Sequence, residues 1–119
     1  MLTMALTSFS LCPFQDVDAD IDAAHNTALK LWDGAYILAR YLEHLAALQP
    51  ARWTGRRCVE LGAGCGLTGL VAWVLGADVT FTDLPSALPH TQRCVTENVE
   101  RLGLSDTESA GRVRVVPYS

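Results

Sequence analysis

Hydrophobic positions change their spacing along this chain, and each change marks an element. From Asp33, "DGAYILARYLEHLAALQP" repeats Ile37, Leu38, Tyr41, Leu42, Leu45 and Leu48 at helical spacing, with Asp33 placed to cap the start and Pro50 beyond the end. "RRCVEL" then reads as a short buried strand. "LTGLVAWVLG" is apolar nearly all round, the pattern of a helix covered by its neighbours, and Gly76 stops it. "DVTFTD" is a second strand. "PHTQRCVTENVERLG" is a helix with Pro89 near its start, Val95, Val99 and Leu102 on one stripe and Gly103 at its end. A polar loop, "LSDTESAG", leads to a third strand, "RVRVVPY". Upstream, "DVDADIDA" at 16–23 alternates acid with apolar, the period of an edge strand. A calcium loop opening at Asp16 fails, because Ile21 and Thr27 stand where it needs glycine and glutamate.

Strand, helix, strand, helix, strand predicts an α/β fold: half of a Rossmann-like, doubly wound parallel sheet with strand order 3-2-1. With 119 residues, half of them hydrophobic, the chain suits one globular domain. A formal net charge of −4 and scattered cations, clustered only at Arg52, Arg56 and Arg57, exclude a nucleic-acid footprint. No apolar run reaches the roughly 18 residues of a membrane span, and the N-terminus lacks the basic start of a signal peptide. Cys12, Cys58, Cys65 and Cys94 form no CxxC pair and have no histidine at zinc-finger spacing. Neither a disulfide framework nor a metal site is therefore expected, and a reducing, cytoplasmic or nuclear setting is the default.

In doubly wound sheets ligands lie at the carboxyl ends of the strands, which here are "ELGAGCGLTG" and Asp83. Gly62, Gly64 and Gly66 nearly meet the dinucleotide fingerprint, but Leu67 stands at its third glycine. Asp83 follows the second strand about 20 residues on, where a carboxylate either accepts ribose hydroxyls or caps the next helix. Glu60, two residues before Gly62, puts negative charge at the mouth of the turn. That charge repels a pyrophosphate and favours a cationic cofactor such as S-adenosyl-L-methionine. The glycines then let backbone approach the cofactor without Cβ clashes.

"LWDGAYILARYLE", "CVELGAGCGLTGLVAWVLGADVTFTDL" and "TENVERL" resemble the non-histone protein-lysine methyltransferases of the seven-β-strand, S-adenosylmethionine-dependent class. The resemblance runs from about Leu31 to Tyr118. It implies that Gly62, Ala63 and Gly64 line the methionine part of the cofactor, that Asp83 holds the ribose, that Glu60 is the acidic residue of the same motif, and that Trp32 borders the cofactor. It also implies a protein substrate whose lysine amine attacks the methyl on sulfur. About 0.04% of an ordinary lysine is neutral at pH 7, a deficit of roughly 4 to 5 kcal/mol that desolvation and positioning must offset. No residue in the chain is assigned that catalytic role. Glu97 and Asn98 read as solvated helix positions.

The family pattern continues past the third strand, whereas this chain ends at "VVPYS". The expected organisation is a 1–33 extension carrying the edge strand, then the N-terminal half of a methyltransferase domain at 34–119, with about three core strands of seven. On that expectation "RRCVEL" becomes an exposed edge, and "LTGLVAWVL" loses part of its cover. Such a fragment, expressed alone, is expected to be inactive and prone to aggregate. A non-catalytic binding fragment and a nicotinamide-dependent oxidoreductase are the other two readings.

Overall fold

A computed structural model describes residues 33–103 and 111–118. The acid-alternating stretch, Trp32 and the polar loop after Gly103 lie outside the described residues. Six elements follow in order: α1 (Asp33–Leu48), β1 (Arg57–Glu60), α2 (Leu67–Val74), β2 (Asp78–Asp83), α3 (Leu88–Leu102) and β3 (Val113–Pro117). All six were expected, with ends shifted by a residue or two. The strands form one parallel sheet in the order β1-β2-β3, as the βαβ pattern predicts.

Register sorts the strand residues into two rows. Cys58, Val79 and Val113 align, as do Glu60, Phe81 and Val115, and all of these but Glu60 pack into or against the core. The other row holds Val59, Thr80 and Arg114. Val59 is 63% exposed, so β1 is not the buried strand its composition suggested. Among the described residues it is an edge of the sheet with one open face.

Burial also corrects three readings of the helices. In α1 the buried residues are Ala39, Glu43 and Ala46, while Tyr36, Ile37, Leu38, Tyr41 and Leu48 are exposed. Small side chains let α1 lie close against α2, where Thr68 Oγ1 donates to the Ala35 carbonyl at 3.2 Å. That packing restores the cover α2 was expected to lack: Leu67, Gly69, Leu70, Val71, Ala72 and Trp73 are all buried. Asn98 on α3 is buried rather than solvated, its Nδ2 donating to the Cys94 carbonyl at 2.8 Å. Glu97 pairs with Arg93 at 3.2 Å on the helix surface.

Candidate functional site at the carboxyl end of the sheet

The turn from β1 to α2 is built on glycine because its backbone demands it. Gly62, Gly64 and Gly66 have φ of 63°, 53° and 75°, the left-handed region that other residues enter only at a cost. Gly66 serves as the N-cap of α2, closing the turn with its N–H donating to the Ala63 carbonyl at 2.7 Å. One further glycine, Gly69, corrects the count made from Gly62: with Gly64 and Gly66 it completes the G-x-G-x-x-G spacing and takes the packing role of its third glycine. A Cβ on Gly69 would strike the Phe81 ring and come within 2.8 Å of Glu60 Oε1, so this glycine sets how closely α2 lies on β2.

Asp83 holds the turn to the second strand. The residue is 7% exposed, and its carboxylate accepts the Gly64 N–H on Oδ2 at 2.8 Å and the Leu84 N–H on Oδ1 at 2.7 Å. It does not cap α3, whose N-cap position is Ala87 with no side-chain bond. An ionised carboxylate has about four acceptor sites, so two backbone donors leave capacity on both oxygens. Ala63 N–H donates to the Thr82 carbonyl at 2.8 Å, and Thr91 Oγ1 of α3 donates to the Gly64 carbonyl at 2.7 Å. The turn is thus tied to β2 and to α3.

Glu60 lies beneath it. Its Oε1 accepts the Gly69 N–H at 3.2 Å at the start of α2. Burial pushes its carboxyl up to about 7; the Gly69 bond opposes the rise, and the nearby Asp83 and Cys65 charges add to it. Gly62, Ala63, Gly64, Glu60 and Asp83 therefore converge at one end of the sheet, five of the six positions singled out in the sequence. The sixth, Trp32, lies outside the described residues.

Spacing in the sequence missed one group beside the turn. Cys65, His90 and Cys94 bring their ligand atoms within 4.8 Å of one another, although no CxxC or finger spacing marks them. The only local signal was His90 and Cys94 four apart on one helix face. The Cys65 thiol is lowered to about 5, chiefly by the Cys94 hydrogen bond, against burial and with help from His90.

A parallel sheet, a left-handed glycine turn and a carboxylate closing the second strand define the cofactor end of a Rossmann-like fold. A family model described as lysine methyltransferase matches residues 14–112, and the chain belongs to that family. It is 43% identical over 92 residues to EEF1A lysine methyltransferase 3 of Mus musculus, covering 77% of this chain and 34% of the relative. The Xenopus tropicalis protein of that name is 42% identical over 72 residues, covering 60% of this chain and 30% of the relative. Protein N-lysine methyltransferase METTL21A of Danio rerio is 43% identical over 72 residues, covering 60% and 31%. The chain spans about a third of the length of the curated relatives it matches.

Proposed function

We propose that this chain carries the S-adenosylmethionine-binding part of a protein-lysine N-methyltransferase, working on a protein substrate in a cytoplasmic setting. The observation that carries the reading is the bond between Asp83 Oδ2 and the Gly64 N–H, which joins the glycine turn to a buried carboxylate at the carboxyl end of the sheet. The residues fit this cofactor. Left-handed glycines admit close approach of a ligand, Asp83 has acceptor capacity for ribose hydroxyls, and its carboxylate beside the turn disfavours a pyrophosphate. Bound there, S-adenosylmethionine supplies an electrophilic methyl on a positively charged sulfur. Gly62, Ala63 and Gly64 would receive its methionine part, Asp83 would orient its ribose, and the ammonium would draw the raised Glu60 carboxyl toward its charged form. No helix among the described residues is long and apolar enough to cross a membrane.

Calorimetry on the 119-residue chain with S-adenosylmethionine, its demethylated product and NAD tests this reading. The first two are expected to bind, and Asp83→Ala to weaken them by roughly 1.5 to 3 kcal/mol through loss of charge-assisted hydrogen bonds. Equal or tighter binding of NAD overturns it.

A further inference from the structure

Beside the glycine turn, two sulfurs and an imidazole nitrogen face one another across an element boundary. Cys65 belongs to the turn itself, directly after Gly64, whereas His90 and Cys94 sit one helical turn apart on α3. His90 Nε2 stands 3.6 Å from Cys65 Sγ and 3.6 Å from Cys94 Sγ. Zinc bonds of about 2.3 Å to sulfur and about 2.0 to 2.1 Å to nitrogen, set at the tetrahedral angle, place sulfur and nitrogen about 3.6 Å apart. Both sulfur-to-nitrogen contacts, here hydrogen bonds, therefore already have the length of a tetrahedral site's edges, and the two sulfurs lie within 4.8 Å of each other.

We propose that Cys65, His90 and Cys94 form a three-ligand zinc site that clamps the glycine turn to α3. The donor set is soft to borderline, which suits zinc and disfavours magnesium or calcium. Two thiolates and a neutral imidazole around Zn²⁺ sum to zero charge, appropriate where Cys94 is buried and the other two ligands are half-buried. Three protein ligands leave a fourth position for water or for a donor atom of a ligand entering beside Gly64. Thr91 Oγ1 already ties α3 to the Gly64 carbonyl, so the ion would add a second tie one residue along the turn. This inference uses no assumption about the reaction the chain supports.

Cobalt reports the site directly. The reduced, metal-free 119-residue chain is titrated with Co²⁺ without oxygen, the sulfur-to-cobalt charge-transfer band is followed, and Zn²⁺ is then added to displace it. One equivalent is expected to saturate the band, and the Cys12→Ser/Cys58→Ser double variant is expected to keep it. Cys65→Ser and His90→Asn, at half-buried positions, are each expected to weaken zinc at least about 100-fold in chelator competition, since even outer-shell partners cost 10- to 100-fold. Cys94→Ser should do the same, with circular dichroism checking that each variant folds. No thiolate band, a band lost with Cys12 and Cys58, or one untouched in folded Cys65→Ser and His90→Asn proteins overturns the proposal.

Discussion

Burial holds the Glu60 carboxyl at about 7, and this makes the glycine turn sensitive to protons. The group's folded pKa exceeds its unfolded value, so the neutral form favours folding. Its contribution is fully present below about pH 4.5 and is lost as pH rises through about 7, amounting to about 3 kcal/mol for a shift of this size. Urea denaturation from pH 4.5 to 8 should show stability falling across that window, with the fall much reduced in Glu60→Gln; an unchanged slope in the variant assigns the dependence elsewhere. Glu60 and Asp83 were legible in the sequence because each ends a strand, and strand ends in such sheets gather at one edge. The Cys65, His90 and Cys94 group was not, because a residue of the first crossover meets a helix of the second only once the strands align.

At the scale of elements, period and punctuation located every helix and strand among the described residues, yet not which side of α1 faces inward. Large apolar residues made its widest stripe, but contact with α2 selected the narrow one. Ala39 and Ala46 fit where Ile37 or Tyr41 would hold the two helices apart. The starting point of the count is why Gly69 escaped notice. Counted from Gly62 the fingerprint fails at Leu67, but counted from Gly64 it is met by Gly64, Gly66 and Gly69, and the nearness of Phe81 shows what the last glycine is for. Gly69→Ala should therefore destabilise the chain by about 1 to 3 kcal/mol, although alanine is the better helix former, because the added methyl overpacks the contact between α2 and β2. Thermal melting checks the sign: a gain in stability would mean that the Phe81 ring swings aside without cost.

At the scale of the molecule, β1 is an unpaired edge among the described residues and has an open face, with Val59 63% and Leu61 76% exposed. Such an edge invites pairing with another chain, and a lysine on it discourages that. Val59→Lys should lower concentration-dependent light scattering without lowering the melting temperature, since the side chain touches little of the core. Scattering that stays the same would shift the sticky surface to the exposed residues of α1.

Between its two neighbours, β2 is bonded along both edges. Amide hydrogens in such a strand exchange with solvent only when the sheet opens as a whole, while those on the outer edge of β1 need no opening. Asp83 closes β2, and the Gly64 amide hangs from its Oδ2. The turn is thereby tied to a strand held along both edges, although it is itself a loop. A ligand arriving there meets a receptor whose ordering cost was met during folding, so little of its contact energy is diverted into shaping the site.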